Sequence, residues 1–267
     1  IYLVFSEKIN IDGNNLQSDI AYGIENNDGK DVIAEIDNSK VSVFFETEHE
    51  THLNFVIQAM FSTTITRERI PLNPEDLQNN RLLDHIGDIT ANSLEILKKL
   101  NLYTTEVLGM MPLEADENPI PNVIYKKIKE RLVLGGELLP NKFGSFGNCQ
   151  NTLLTSHLIN KLFNEDQIRE LFEKSYFVDN CYNVHSGELY NYLRLDIGLE
   201  VIDLNVLSTS LSKYFFENQT DEWMMHFYKE IYTIESLWKK QLDRKYLIRG
   251  EDGKHYNALD ENGDEEI

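Results

Sequence analysis

The sequence has few of the residues and segments that mark specialised classes of protein. Only two cysteines occur, Cys149 and Cys181, and their separation fits no zinc or redox motif. We therefore expect two reduced thiols in a cytoplasmic compartment. No run of about 18 apolar residues is present, so the sequence predicts no membrane-spanning helix and no membrane partner. We also expect no signal peptide, because no basic segment leads into an apolar one at the start.

Positive charge is also scarce. The chain has 25 Lys and Arg residues against 45 Asp and Glu residues, which gives a net charge of −20. Such a chain repels phosphate backbones, so we expect no direct binding to nucleic acids. A single bound nucleotide stays possible, because a few local cations are enough to hold it.

What the sequence does contain is typical of a globular protein. Of its 267 residues, 41% are hydrophobic and 10% aromatic, and this length predicts roughly two domains at about 150 residues each. The chain opens at Ile1 directly in an apolar segment that reads as a strand, without an initiator Met. We therefore expect it to be a fragment of a longer polypeptide.

The first 61 residues have the alternation and the β-branched content of strands. Strands are predicted at 2–11, 18–24, 31–36, 41–45 and 54–61. Asp28-Gly29 is a strong hairpin signal, because both positions of a tight turn need positive φ angles. A second turn is predicted at 37–39.

A long helix follows the predicted strands. Asn73 is the expected N-cap and Pro74 the expected first residue, with the helix running to about Leu100. Apolar residues then recur at helical spacing, as expected for a helix that covers one face of a sheet. These residues are Leu82, Ile86, Ile89, Leu94, Leu97 and Leu100.

An acidic segment with three prolines at 112–121 is the predicted domain boundary. Beyond it the sequence is mostly helical, with a stripe of Ile124, Ile128 and Leu132 that ends at Gly135. We therefore predict an α+β fold. Residues 1–113 form a sheet domain covered by the long helix, and residues 114–267 form a mostly helical domain with an acidic tail.

Further helix starts are predicted in the second domain from polar residues before apolar stripes. Asn164 with Gln167 has the pattern of a capping box, and Asp203 and Thr220 are single N-caps.

Two patterns resemble metal sites at first inspection. His49 and His52 lie three apart between two predicted strands, which is not the spacing of a zinc protease, so a polar turn is favoured. Residues 260–264 resemble the start of a calcium loop, but their glycine stands at the fourth position instead of the sixth. We therefore predict no metal site.

The polar loop at 63–71 contains two arginines between a strand and the long helix. Arg67 and Arg69 are candidate phosphate ligands, because a guanidinium binds phosphate oxygens in a bidentate manner. The alternative is an ordinary surface loop whose arginines pair with Glu68, Glu75 or Asp76. The residues alone favour the second interpretation.

The same part of the chain resembles a known family. Residues 54–58 (Asn-Phe-Val-Ile-Gln), the Thr-Arg-Glu loop at 66–68 and the run at 76–86 are similar to the middle domain of the ninety-kilodalton heat-shock chaperones, and most of all to its sacsin-like branch. Residues 138–144 and 221–255 contain segments similar to those that follow the ATPase module in bacterial sacsin-like proteins.

This resemblance implies a GHKL-type ATPase whose nucleotide pocket lies in an upstream domain. The parent protein would bind ATP with Mg, and this fragment alone would hold no cofactor tightly and be inactive. Its partners would be that upstream domain of the same chain and a client protein. In the family, an Arg and a Gln of the middle domain reach the γ-phosphate, and they match Arg67 and Gln78 here, with Arg69 beside them.

The sequence departs from the family in the spacing of those two residues. Arg67 and Gln78 are eleven positions apart, against four in the chaperones, so we favour Arg67 over Gln78. The alternative function is a non-catalytic protein-interaction scaffold with an acidic surface. Aromatic residues such as Trp223, Phe227 and Trp238 could then dock a partner, although their spacing also fits the buried face of a helix.

Overall fold

The computed structural model describes residues 1–72, 74–141, 144–155, 157–172, 176–178, 187–233 and 245–257, and the fold is α+β as predicted. The strands are β1 (Tyr2–Ile11), β2 (Asn14–Asn27), β3 (Lys30–Ala34), β4 (Lys40–Val43), β5 (Phe45–Glu50), β6 (Val56–Ala59), β7 (Leu139–Pro140), β8 (Phe146–Gly147), β9 (Thr152–Thr155), β10 (Tyr176–Val178), β11 (Glu200–Ile202), β12 (Ile248–Arg249) and β13 (His255–Tyr256). The α-helices are α1 (Leu77–Lys99), α2 (Thr105–Gly109), α3 (Pro119–Leu134), α4 (His157–Leu162), α5 (Glu165–Phe172), α6 (Glu188–Asn191), α7 (Leu204–Ser210), α8 (Lys213–Glu217) and α9 (Asp221–Tyr232), and α6 continues as a π-helix, Tyr192–Asp196.

The first six strands form one sheet in the order β1-β2-β6-β4-β5, with β3 paired to the end of β2. Neighbouring strands are antiparallel except β4 and β6, which are parallel. The predicted Asp28-Gly29 turn is confirmed, with φ angles of 51° and 83° that suit a tight hairpin. The strand β5 lies where the sequence predicted a polar turn, and His49 is part of it.

The long helix α1 covers one face of this sheet. Its N-cap is Asp76, whose side chain accepts a hydrogen bond from the main-chain N–H of Asn79, and the first helical residue is Leu77. The predicted start at Asn73 and Pro74 was therefore wrong by one turn, and Asn73 itself lies outside the described residues. Across the interface, the Tyr22 hydroxyl lies 2.9 Å from the Ser93 hydroxyl in the core.

The larger hydrophobic core extends across the predicted domain boundary at 113/114. The predicted stripe of α3 (Ile124, Ile128 and Leu132) is buried in the same core as the sheet and α1. The approach of the two helices is close at Gly87, where an added Cβ would lie 2.9 Å from Cγ of Lys127. The same core also includes Leu189, Tyr190, Tyr192, Leu193, Ile197 and Leu199.

A second core is rich in aromatic residues from the second half of the chain. Phe163, Phe215 and Phe227 are buried in it, and Trp223 packs against it with its ring 4.9 Å from that of Phe227. The spacing of Trp223 and Phe227 thus reflects packing in a core, and Trp238 lies outside the described residues.

The predicted helix starts of this region are confirmed. Asn164 and Gln167 exchange hydrogen bonds of 2.9 Å in a capping box, and Asp203 and Thr220 each cap a helix. Within the described ranges, every helix is too short or too polar to cross a membrane.

Candidate functional site

The loop that contains both candidate arginines lies along the outer edge of β5. The main-chain N–H of Glu48 donates to the carbonyl of Arg67 at 3.1 Å, and a tight turn closes with a bond of 2.9 Å from the Arg67 N–H to the Thr64 carbonyl. Further along, the N–H of Ile70 donates to Nδ1 of His49 at 3.0 Å. The loop therefore covers an edge of the sheet that would otherwise be unpaired.

Asn79 holds both ends of this loop against α1. Its Oδ1 accepts from the N–H of Ser62 at 2.8 Å, and its Nδ2 donates to the carbonyls of Ser62 and Pro71 at 2.9 and 2.8 Å. Asn79 is fully buried, and these three bonds supply its amide with the partners that a buried polar group requires.

Arg67 binds the hairpin between β4 and β5. Its Nη2 donates to the carbonyls of Val43 and Phe45, at 2.9 and 3.0 Å. Arg67 itself has a φ angle of 59°, and its half-buried side chain turns back onto the sheet. The residue that the resemblance matches to a phosphate ligand thus has main-chain carbonyls as its partners in this structure.

The two carbonyls bound by Arg67 lie on either side of Phe44. Val43 and Phe45 are paired across the hairpin, so Phe44 alone makes the turn, with a φ angle of 61°. A bulky residue in this region is strained, and such strain persists only where surrounding contacts enforce it. The two hydrogen bonds from Arg67 are contacts of that kind.

Three large apolar side chains at this edge are exposed to solvent. The exposed fractions are 72% for Phe44, 75% for Phe45 and 104% for Ile65, which lies in the turn that leads to Arg67. We call Phe44, Phe45, Ile65 and Arg67 together the Arg67 corner. Sequence reasoning missed Phe44 and Phe45, because two aromatics at the end of a predicted strand have the pattern of a buried strand.

Arg69 has a different role in the same loop. Its Nη1 and Nη2 each lie 3.0 Å from a carboxylate oxygen of Glu75, which is a bidentate pair. The hydrogen bond from Arg69 lowers the pKa of the Glu75 carboxyl, and the same bond raises the pKa of Arg69. This is one of the surface pairs that the sequence allowed as the alternative to phosphate binding.

Gln78 lies at the start of α1, a few residues after the loop in sequence. It is half-buried in the first turn of the helix. In the described part of the chain, no hydrogen bond joins it to Arg67 or Arg69. The structure therefore brings the two arginines together in one loop and leaves Gln78 apart from them.

The histidines that resembled a metal site have other partners. Nδ1 of His49 accepts from Ile70, and burial lowers the pKa of its imidazole, with the positive charge of Arg69 acting in the same direction. Nδ1 of His52 lies 3.4 Å from a carboxylate oxygen of Asp116. Among the described residues there is no group of three or more His, Cys, Asp or Glu placed to hold a metal, and residues 260–264 lie outside them.

Comparison with models of protein families, with curated proteins and with solved structures found no match to the chain. The likeness to sacsin-like chaperones therefore stays a prediction from the sequence, and the geometry of the Arg67 corner is the basis for a functional argument.

Proposed function

We propose that this chain is a non-catalytic protein-interaction module that uses the Arg67 corner as a contact surface. One observation carries the proposal: Arg67 binds both carbonyls that flank a solvent-exposed Phe44 held at a positive φ angle. The arginine stabilises a backbone conformation that the residue type disfavours, and the effect is to project two aromatic rings into water.

A strained backbone at an exposed residue lowers the stability of the fold, so it is expected where it serves another purpose. A φ angle in the left-handed region costs a bulky residue on the order of 1–2 kcal/mol. Exposed aromatic rings add no burial to offset that cost in the free protein. When a partner covers Phe44, Phe45 and Ile65, the buried apolar area offsets both costs, since aromatic rings bury large areas at protein interfaces.

The charges near the corner define the chemistry of the partner. Glu46 and Glu68 are exposed next to the apolar residues, whereas Arg67 is bound to main-chain carbonyls and Arg69 to Glu75. The whole chain has a net charge of −20. A partner with basic residues around an apolar pocket matches this arrangement, because opposite potentials favour encounter and orientation. We therefore assign as occupant a protein surface with an apolar pocket rimmed by Lys or Arg.

The test is site-specific photocrosslinking followed by measurement of affinity. A photoreactive phenylalanine analogue is placed at Phe44 in one protein and at Tyr214 in the matched control, since the Tyr214 side chain is 69% exposed elsewhere on the chain. We expect one partner to crosslink at position 44 and not at 214. The binding of that purified partner should weaken at least tenfold in Phe44→Ser/Phe45→Ser and in Arg67→Ala.

The same partner also tests the chemistry of the interface. The crosslinked segment should contain apolar residues together with Lys or Arg. Unchanged affinity in the double serine variant, or equal crosslinking at 44 and 214, would overturn the proposal. The thermal midpoint of each variant is measured in parallel, so that a loss of affinity through unfolding is recognised.

A second candidate function comes from the resemblance to chaperone-type ATPases. There, this chain would couple ATP, bound with Mg in an upstream domain, to a rearrangement of domains, and would complete that domain's site with Arg67 or Arg69. The observation that favours it is the 56% exposed side chain of Arg69, which is accessible to a phosphate that displaces Glu75.

This second candidate is tested in the parent protein. We expect Arg69→Ala and Arg67→Ala to lower ATP turnover without a change in the binding of ATP. Arg81→Ala is the control, because Arg81 is an equally exposed arginine in an ion pair with Asp12. Turnover that is unchanged in both loop variants would exclude a role for either arginine.

A further inference from the structure

The strand β1 forms the edge of the sheet opposite β5. It pairs with β2 along its whole length, and no other described strand pairs with it. The N–H of Ile24 donates to the carbonyl of Ile1, which shows that these two opposite residues form a hydrogen-bonded pair. In an antiparallel pair, hydrogen-bonded and non-hydrogen-bonded residues alternate along each strand, so the N–H and C=O groups of the odd-numbered residues of β1 face β2.

The even-numbered residues of β1 therefore direct their N–H and C=O groups to the open edge. These residues are Tyr2, Val4, Ser6, Lys8 and Asn10. No described residue pairs with these main-chain groups, and such a row of donors and acceptors is a template for an added strand. Sheets commonly protect an edge of this kind with proline, a bulge or charged side chains. The strand β1 is regular over ten residues without proline or a bulge, and its charged residues are Glu7 and Lys8.

Two clefts lie near the two ends of β1, where α1 covers the sheet. One has a volume of 670 Å³ and is lined by Ile9, Ile11, Leu77, Arg81, Asp84 and His85, among others. The other has a volume of 690 Å³, lies at the opposite end of β1 and α1, and extends over Ile24 and Lys30 of β2 and β3, away from the open edge. Alternate side chains of a strand added beside β1 would point into the first cleft.

The charges in the first cleft indicate which side chains fit there. Glu7 lies next to this cleft, with its carboxylate 3.9 Å from Nε2 of the lining residue His85, a buried nitrogen that has no hydrogen-bond partner among the described residues. Asp84 and Asp88 share Lys127, at 3.0 and 2.9 Å. Two carboxylates thus share one cation, and Arg81 of the same cleft is already paired with Asp12 at 3.1 Å. Among the described residues, the carboxylate of Glu7 is paired only with His85.

We infer that the edge of β1 binds an extended segment of a partner polypeptide that carries Lys or Arg on the side facing α1. Main-chain hydrogen bonds to the even-numbered residues would hold the segment, and its cation would lie beside Glu7. A second copy of this chain is disfavoured in that place, because its own β1 would bring another Glu7 toward the same acidic cleft. This surface is distinct from the Arg67 corner, at the other edge of the sheet.

The test uses synthetic extended peptides and the intact chain. The probe is an eight-residue peptide that alternates valine and lysine, titrated while the main-chain amide signals of the protein are followed by NMR. One matched peptide has glutamate in place of lysine, and another has N-methyl groups on alternate amides. We expect the lysine peptide to shift the β1 amides and to bind at least tenfold more tightly than both matched peptides.

Protein variants separate strand pairing from simple charge attraction. Val4→Pro removes one outward N–H without breaking a bond to β2, and Val4 is 53% exposed, so the fold is expected to tolerate the change. We expect Val4→Pro to weaken binding at least tenfold and Glu7→Gln to weaken it severalfold. If Val4→Pro fails to fold, the N-methylated peptide tests the same hydrogen bonds.

Equal binding of the N-methylated peptide, or no shift at β1 with the lysine peptide, would overturn the inference. The variant Phe44→Ser/Phe45→Ser should bind the lysine peptide as the wild type does. Failure of this test and failure of the proposal for the Arg67 corner are therefore distinguishable.

Discussion

The imidazole of His49 accepts a hydrogen bond of 3.0 Å from the main-chain N–H of Ile70, and this bond requires that Nδ1 carries no proton. It joins the edge strand β5 to the end of the arginine loop. Protonation of His49 would replace the acceptor by a donor and would place a second cation near Arg69.

We expect the protein to lose stability as the pH falls below 6.5, because burial lowers the pKa of His49 in the folded state below that value. The unfolded chain then binds the proton more readily than the folded chain. This contribution is fully present above pH 6.5 and disappears as the pH approaches the lowered pKa. Urea denaturation at a series of pH values measures it.

His49→Gln is the control for this pH dependence. Glutamine keeps an acceptor for Ile70 but does not titrate, so the slope of stability against pH should be smaller in the variant. The shift of His255, whose pKa is also lowered by burial, is common to both proteins and cancels in the comparison. Identical slopes would contradict the role given to His49.

Phe44→Gly should stabilise the fold although it removes a large side chain. Glycine adopts the φ angle of 61° without steric cost, and the ring it replaces is 72% exposed. After the entropy cost of glycine in the unfolded chain, we expect a gain of about 0.5–1 kcal/mol in the free energy of unfolding. Phe45→Gly is the matched control, because Phe45 is equally exposed but lies within a strand, where glycine should destabilise.

Asn79→Ala should destabilise strongly. The change leaves main-chain groups of Ser62 and Pro71 without their buried partner, and we expect a loss of about 2–4 kcal/mol in the free energy of unfolding. Asn92→Ala, at an exposed position on the same helix, should change it by less than about 0.5 kcal/mol. Equal effects of the two changes in urea denaturation would refute the proposed anchoring of the loop.

Gly87→Ala should destabilise the packing of α3 on α1. The added Cβ would lie 2.9 Å from Cγ of Lys127 and 3.2 Å from Cγ1 of Val123, and that overlap outweighs the higher helix propensity of alanine. We expect a loss of about 1–2 kcal/mol, measured by denaturation. At Gly135 an added Cβ would meet its nearest atom at 3.6 Å, so Gly135→Ala serves as the control without a clash. A stabilised Gly87→Ala protein would show that the helices separate easily.

Local signals in the sequence predicted much of the fold. The bounds of β1, the Asp28-Gly29 turn and the N-cap at Thr220 all follow from the types of a few adjacent residues, and each is confirmed. The strand β5 was missed because only Thr47 among its residues is buried, so its sequence has no hydrophobic alternation. The common core of the sheet and α3 depends on long-range packing, which spacing along the chain does not reveal.

The candidate site was predictable only in part. Loop position and charge singled out Arg67 and Arg69, and the pair between Arg69 and Glu75 was one of the stated alternatives. The bonds from Arg67 to Val43 and Phe45 join residues far apart in sequence, and nothing about Phe44 signals a positive φ angle. The roles of Arg67, Arg69 and Gln78 at a nucleotide remain predictions.

The position of β6 determines the order in which this sheet can assemble. The strands β1, β2 and β3 are joined by short turns, as are β4 and β5, so each group forms from local contacts. Among the described strands, only β6, four residues long, pairs with both groups. A chain still on the ribosome and ending before Val56 would therefore hold two separate hairpin units, and the sheet would close as one late cooperative step when β6 emerges.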